Sequence, residues 1–118
     1  LAIPRSYGGF DAAPYPGFIL RLGMTGREIE ALNIYLLQIS TVFPEIPKLI
    51  PDDVFDTYTR AAVTAFQNLF GLSPDGIVGP ETWNKIAEIY TDIVASNLRR
   101  AEQAPGVNLM MDEQEEAI

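Results

Sequence analysis

The sequence concentrates polar side chains in one short segment. Three acids within five positions are followed by a phenol, a hydroxyl and a guanidinium: Asp52, Asp53, Asp56, Tyr58, Thr59 and Arg60. Such carboxylates could hold Ca²⁺, but the loop of twelve positions with a central glycine and a closing glutamate is absent. Two carboxylates could also cleave a glycosidic bond, yet the sequence indicates no pair with opposed environments. The acids are therefore interpreted as helix caps, since negative charge complements the amino end of a helix.

The composition excludes most types of catalytic mechanism. The 118 residues include no Cys and no His, so a thiol nucleophile, a disulfide framework and a thiolate metal site are excluded. Imidazole is also the commonest zinc ligand and the commonest general base near neutral pH. The sequence accordingly predicts a single domain that is not an enzyme and uses no metal or cofactor.

The net charge of −8 is unevenly distributed. Residues 1–100 carry all 8 basic and 11 acidic residues, whereas residues 101–118 carry five acids and no base. Without a basic stripe, the chain cannot release counterions from a nucleic acid or hold an anionic membrane surface, so neither partner is expected. No apolar run is long enough to span a membrane. Because the sequence begins at Leu1 rather than Met, we expect it to be a piece of a longer parent.

Apolar side chains spaced three and four residues apart predict a first helix. It would begin at a capping box formed by Thr25 and Glu28 and continue to about Ser40. Three prolines then forbid its continuation, so residues 41–54 are predicted to form a stiff loop, which we call the proline loop.

The same spacing predicts two further helices. The second has Asp56 or Thr57 as its cap and stops at Gly71. The third has Pro80 in its first position and continues to about Leu98.

The two ends of the chain differ from its middle. Gly and Pro alternate with aromatic residues in 1–17, which predicts an extended arm that lies against the domain or, over its first dozen residues, a disordered linker to a preceding domain. Residues 18–100 would form the folded domain. Residues 101–118 are acidic and poor in aromatics, so they are predicted to be a disordered tail.

The two halves of the domain resemble each other. The apolar pattern around Asn33 recurs around Gln67, and the acidic segment 52–59 recurs as 75–82. The acidic segments lie closer together along the chain than the apolar patterns do, which predicts an insertion in the first half, within the proline loop. The sequence thus predicts an all-α domain with an internal pseudo-repeat.

Three further residues could contact a ligand. Asp75 could present a carboxylate, but with Gly76 it is more typical of a turn. Trp83 could stack on a sugar, but its helical spacing favours the core. Gln67 could bind a ligand amide or a neighbouring loop backbone, and the sequence favours neither.

A longer motif in the second half resembles a known family. It reads Phe66-Gln67-x-x-x-Gly71-Leu72-x-x-Asp75-Gly76-Ile77-Val78-Gly79-Pro80-x-Thr82-Trp83. This is similar to the second half of the peptidoglycan-binding domain appended to many bacterial wall hydrolases. Gly23-x-x-Gly26-x-x-Ile29-x-x-Leu32 and Thr59-x-x-Ala62-Val63 resemble its first half. The resemblance covers roughly residues 18–90.

The resemblance implies a three-helix orthogonal bundle and a binding function without catalysis. A groove beside the acidic turns and the second helix would dock the stem peptide or glycan of peptidoglycan. The module would target a covalently linked catalytic or envelope domain to the cell wall or spore envelope, outside the cell. The ligand-binding residues would be Phe55, Asp56, Tyr58, Thr59, Arg60 and Gln67.

This chain departs from the family pattern in its first turn. The family usually has Asp-Gly-x-Phe-Gly, whereas Asp53 and Asp56 replace both glycines here. An alternative function is therefore a protein-interaction or assembly module of the cell or spore envelope. An open groove beside Asp56 and Tyr58 would favour wall binding. A groove filled by the arm or the proline loop would favour the assembly function.

Overall fold

The computed structural model describes residues 12–103, with side chains described for 12–99. Within that range it contains three helices and no strand: α1 (Arg27–Ser40), α2 (Thr57–Leu69) and α3 (Pro80–Gln103). This confirms the predicted all-α, three-helix fold. Residues 1–11 of the predicted arm and 104–118 of the predicted tail lie outside the described residues.

The start of α1 differs from the prediction. Its N-cap is Gly26, with a φ of 134°, and no side chain caps the helix. Thr25 instead forms an isolated antiparallel bridge with Val54, and the Gly26 amide donates to the Asp53 carbonyl at 3.0 Å. The predicted capping box of Thr25 and Glu28 is therefore wrong, because the backbone before α1 is held by the segment before α2.

The limits of α2 agree with the prediction. The Asp56 side chain accepts a hydrogen bond of 2.9 Å from the Thr59 amide, as an N-cap does. After the helix, Gly71 has a φ of 76°, a left-handed conformation that favours glycine.

The end of α3 lies further along the chain than predicted. The helix begins at Pro80 as expected, but it continues to Gln103. No glycine or proline interrupts the sequence between Pro80 and Pro105, so nothing in the chain stops the helix earlier. Residues 101–103 of the predicted tail are therefore helical. None of the helices in the described range is both long and apolar enough to cross a membrane.

The core lies where α1 packs against α2 and α3. Its most buried apolar side chains come from all three helices and from the segments between them: Leu20, Ile29, Leu32, Leu36, Ile39, Ile46, Phe55, Ala62, Val63, Phe66, Val78, Trp83 and Ile86. Trp83 is only 1% exposed, which confirms the core position favoured by its spacing.

The segment before α1 pairs with both turns that precede the other helices. Leu20 exchanges two backbone hydrogen bonds of 2.9 Å with Val78, just before α3. The Gly23 amide donates to the Phe55 carbonyl at 2.9 Å, just before α2. One extended segment thus holds the starts of α2 and α3 together.

The described part of the arm lies against the domain, as predicted. The Ala13 amide donates to the Tyr35 hydroxyl at 2.9 Å, and the Ala13 carbonyl accepts from the Trp83 indole at 2.9 Å. Ala12 and Tyr15 pack against the core. Side chains of α1 and α3 therefore hold both polar groups of one arm residue.

Candidate functional site

An open groove of about 590 Å³ lies along the outward face of α2. Its lining consists of one ring from the proline loop and six side chains of the helix: Pro47, Thr57, Arg60, Ala61, Thr64, Ala65 and Asn68. These side chains offer hydroxyls, an amide, methyl groups and one guanidinium. The groove lining is therefore uncharged except for the guanidinium of Arg60.

The groove arises because α2 is amphipathic. Ala62, Val63 and Phe66 are fully buried against α1 and the core. The opposite face carries Thr57 and Ala61, which are both exposed. A helix that buries one stripe of apolar residues leaves such a face open to solvent, and the proline loop supplies the wall beside it.

The predicted site residue Asp56 lies at the amino end of this helix. Besides capping the Thr59 amide, its Oδ1 lies 3.2 Å from the Thr59 hydroxyl. The interpretation of Asp56 as a helix cap is confirmed. Its neighbour Asp52 has a similar local role, because its Oδ1 accepts from the Val54 amide at 3.1 Å.

Thr59 is buried and joins α2 to α1. Its hydroxyl lies 2.9 Å from the Asn33 side-chain oxygen. The Asn33 amide nitrogen in turn donates to the carbonyls of Asp52 and Val54, at 2.8 and 3.1 Å. Thr59 is 1% exposed, so its side chain positions the turn before α2 and does not reach the groove surface.

Gln67 is also buried and holds the turn before α3. Its Nε2 donates to Asp75 Oδ1 and to the Ile77 carbonyl, each at 3.0 Å, and lies 3.1 Å from the Thr82 hydroxyl. Its Oε1 accepts from the Gly76 amide at 2.9 Å. The sequence left open whether Gln67 binds a ligand amide or a neighbouring loop backbone. The structure shows that it binds the loop backbone.

Asp75 and Gly76 form the turn favoured by the sequence. Asp75 Oδ1 accepts from the Ile77 amide at 2.9 Å, two residues further along the chain. Gly76 has a φ of 75° and is buried. The Asp75 carboxylate is thus engaged in holding its own turn.

The predicted site residues Phe55 and Tyr58, near the start of α2, have opposite environments. Phe55 is 1% exposed and belongs to the core. Tyr58 is 62% exposed, so its ring is open to solvent at the amino end of the helix. It lies one helical turn before Ala61, which lines the groove.

Arg60 lines the groove and packs against the turn before α3. A Cβ built on Gly76 would lie 3.1 Å from Arg60 Cγ and 3.2 Å from Thr64 Oγ1. The glycine backbone therefore lies directly beside the aliphatic part of Arg60. This contact joins the groove to the turn that Gln67 holds.

The structure thus divides the six predicted site residues into two groups. Arg60 lines the groove, Asp56 caps α2, and Tyr58 is exposed in the first turn of that helix. Phe55, Thr59 and Gln67 are buried, and they hold the two turns and the core. The other lining residues of the groove were not predicted as site residues. Those on the outward face of α2 could have been predicted from the helical spacing. Pro47 could not, because only the folded loop brings it to the helix.

Among residues 12–103, no group of three or more carboxylate, imidazole or thiol side chains is placed to hold a metal ion.

The three-helix bundle and its open groove define a small helical binding domain. The sequence matches the family model of the peptidoglycan binding domain over residues 25–86, more than half of the chain. The chain belongs to that family, and membership implies association with the cell wall.

Similar proteins include a carboxypeptidase. Over 45 residues the chain is 47% identical to the zinc D-Ala-D-Ala carboxypeptidase of Streptomyces albus G, covering 38% of this chain and 18% of that protein. Over 35 residues it is 57% identical to an uncharacterized protein of Kitasatospora aureofaciens, covering 30% of each. The chain thus spans less than a third of the curated relatives it matches.

A solved structure has a similar fold. It is the peptidoglycan-binding protein from Clostridioides difficile in complex with glutamine hydroxamate. The TM-score is 0.53 with 36% sequence identity, and the match covers 62% of this chain and 42% of that one.

Proposed function

We propose that this domain binds peptidoglycan through the α2 groove and takes no part in covalent chemistry. The observation that carries the proposal is an open groove on a member of a peptidoglycan-binding family. A volume of about 590 Å³ lies in the range of ordinary ligand sites. It is large enough for a few residues of a stem peptide.

The described residues leave the groove open. Pro47 of the proline loop forms one wall, and none of the described arm residues, 12–17, lines the groove. Ala13 of the arm instead contacts Tyr35 and Trp83 on another surface. Filling of the groove by the arm or the proline loop would have favoured an assembly module, and within residues 12–103 the groove is open, which supports wall binding.

The groove lining suits a peptide more than a bare sugar chain. Stem peptides present amides, methyl groups and carboxylates, and the lining supplies hydroxyls, an amide, methyl groups and a guanidinium. The large aromatic Trp83, which could stack on a sugar ring, is buried elsewhere. The Clostridioides difficile neighbour was solved in complex with glutamine hydroxamate, an amino-acid derivative.

The predicted site residues act in two ways in this proposal. Arg60 contacts the ligand, and Asp56 and Tyr58 lie at the amino end of the helix that lines the groove. The buried side chains Phe55, Thr59 and Gln67 act through position, because they fix the two turns beside the groove.

The domain accompanies another domain in a longer protein. The Streptomyces albus G relative is a carboxypeptidase of which this chain spans 18%. Binding would hold a linked catalytic or envelope domain at the wall and raise its effective concentration there. The site of action would be outside the cell, in the cell wall or the spore envelope.

A pull-down on insoluble peptidoglycan stripped of secondary polymers tests this function. Ala61→Tyr puts a ring into the groove from an exposed helical position. Ile34→Tyr, on the exposed side of α1, adds a similar ring outside the groove lining and serves as the matched control. Circular dichroism and thermal unfolding establish that both variants are folded.

We expect saturable retention of the wild type and of Ile34→Tyr, and loss of retention for Ala61→Tyr. Equal retention of both variants would move the binding site away from α2. No retention of the wild-type chain above an acidic control protein would overturn wall binding and favour the assembly function.

A further inference from the structure

We infer that Arg60 makes the α2 groove selective for stem peptides with a free carboxylate over their amidated forms. The inference rests on the proposed function of the groove and specifies its ligand. Arg60 would recognise a carboxylate of the stem peptide, a role that neither the family match nor the groove volume assigns.

The Arg60 guanidinium has no partner among the described residues. The only salt bridge in that part of the chain joins Lys85 to Glu88 at 3.3 Å, and no described hydrogen bond involves the Arg60 side chain. Arg60 is also the only charged residue that lines the groove. A planar group with five donors therefore borders a concave surface that offers it no acceptor of opposite charge.

The acid best placed in sequence to pair with Arg60 is engaged elsewhere. Asp56 lies four residues before Arg60, a spacing at which an acid and a base commonly pair on a helix. Its carboxylate instead caps α2 through the Thr59 amide at 2.9 Å. Within the described residues no salt bridge joins Asp56 to Arg60, so the guanidinium is available to a ligand.

The stem of Arg60 is held in place beside the groove. The Gly76 backbone lies so close that an added Cβ would be 3.1 Å from Arg60 Cγ and 3.7 Å from Cδ. Gln67 holds Gly76 through its amide at 2.9 Å. Packing of the stem restricts its rotamers, which lowers the entropy lost when the guanidinium binds a carboxylate.

A stem peptide with lysine at its third position offers this carboxylate in two places. One is the carboxyl terminus of the stem peptide, and the other is the α-carboxylate of its D-glutamate. Both accept two parallel hydrogen bonds from a guanidinium, and amidation removes the charge of either. Arg60 could bind the carboxylate at either position, and singly amidated peptides distinguish the carboxyl terminus from D-glutamate.

The test measures how soluble stem peptides compete with retention on insoluble peptidoglycan. The probes are L-alanyl-γ-D-glutamyl-L-lysyl-D-alanine, its form amidated at the carboxyl terminus, its form amidated at D-glutamate, and the doubly amidated form. Each is tested on the full chain and on Arg60→Gln, which keeps the aliphatic stem and loses the charge. Arg27→Gln removes the same charge from an exposed residue of α1 outside the groove and is the matched control.

We expect the free acid to compete about tenfold better than the doubly amidated form, as an exposed charge-assisted pair would give. Arg60→Gln should abolish that preference, Arg27→Gln should keep it, and the singly amidated forms show which carboxylate is read. Equal competition by acid and amide, competition by neither, or a preference that survives in Arg60→Gln would overturn the inference while wall retention still stands. Loss of wall retention by the wild-type chain would instead overturn the proposed function, and the inference with it.

Discussion

The Thr59 hydroxyl lies 2.9 Å from the side-chain oxygen of Asn33, and this buried contact ties the first turn of α2 to α1. Asn33 is completely buried, and its amide nitrogen also donates to two carbonyls of the proline loop, those of Asp52 and Val54. One side chain therefore fixes the helix, the loop and the amino end of the groove in a single arrangement.

Replacing Asn33 should destabilise the domain strongly. Asn33→Leu keeps a similar volume but leaves the partly buried Asp52 carbonyl without its side-chain donor. It also removes the shorter contacts of the Val54 carbonyl and the Thr59 hydroxyl, which keep only contacts of 3.2–3.3 Å. Unsatisfied buried polar groups typically cost about 1–3 kcal/mol each, so we expect the free energy of unfolding to fall by about 2–4 kcal/mol. Urea unfolding followed by circular dichroism measures the change. Thr41→Val, which removes an exposed hydroxyl bonded within its own helix end, should change the value by less than about 0.5 kcal/mol.

The hydrogen bonds of Asn33 have counterparts around Gln67. Asn33 donates to the Val54 carbonyl and contacts the Thr59 hydroxyl. Gln67 donates to the Ile77 carbonyl and contacts the Thr82 hydroxyl. These are the bonds that two equivalent units would share, given the patterns that recur in the sequence. The internal repeat itself stays a prediction.

Short-range signals were sufficient to predict most of the helices. The cap at Asp56 and the stop at Gly71 depend on neighbouring backbone, so the residue type alone indicates them. Thr25 failed as a cap because a partner distant in sequence, Val54, holds it in a bridge. The wall formed by Pro47 was missed for the same reason, since only the packed loop brings it beside α2.

Gln67 should be essential for the second turn. Gln67→Met fills much of the same volume but removes the acceptor of the Gly76 amide and the donor to the Ile77 carbonyl. We expect a loss of about 2–4 kcal/mol in the free energy of unfolding. Hydrogen exchange of the Gly76 amide should also become faster, which a general loss of packing in the core would not single out. Unchanged exchange at Gly76 would contradict a role in holding this turn.

The arm should open from the domain more often when its hydrogen bond to Tyr35 is removed. Tyr35→Phe loses only the hydroxyl that accepts from the Ala13 amide. A net hydrogen bond contributes about 1 kcal/mol, so exchange of the Ala13 amide should accelerate severalfold. Tyr90→Phe is the matched control, because Tyr90 packs on the Tyr35 ring with centroids 4.5 Å apart but makes no hydrogen bond to the described arm residues, 12–17. Equal exchange in both variants would show that the arm is held by other contacts.

Tyr90 should make the domain less stable in alkali. Burial, and secondly the nearby Tyr35, raise the pKa of Tyr90 above its ordinary value of 10.0. The folded state therefore holds this proton more tightly than the unfolded state, so the contribution to stability is complete below about pH 10 and declines as the pH rises through the raised pKa. Tyr90→Phe should flatten the decline in unfolding free energy above that pH. An identical alkaline decline in wild type and variant would contradict the assignment.

Two glycines with the same backbone angle should respond differently to alanine. Gly71 and Gly76 have φ of 76° and 75°, so Ala at either position brings left-handed strain of roughly 1–2 kcal/mol. A Cβ on Gly71 would meet no atom within 4 Å, whereas one on Gly76 would press on Arg60 and Thr64 at the groove. Gly76→Ala should therefore be the more destabilising substitution.

The same pair separates strain from a change in the groove. Because the added methyl group of Gly76→Ala displaces the stem of Arg60, retention on insoluble peptidoglycan should fall even at temperatures where the variant is fully folded. Gly71→Ala has comparable backbone strain without that contact, so its retention should match the wild type once both are folded. If the two variants bind equally well, the close packing of Gly76 on Arg60 does not control the groove, and the guanidinium is positioned by its own helix alone.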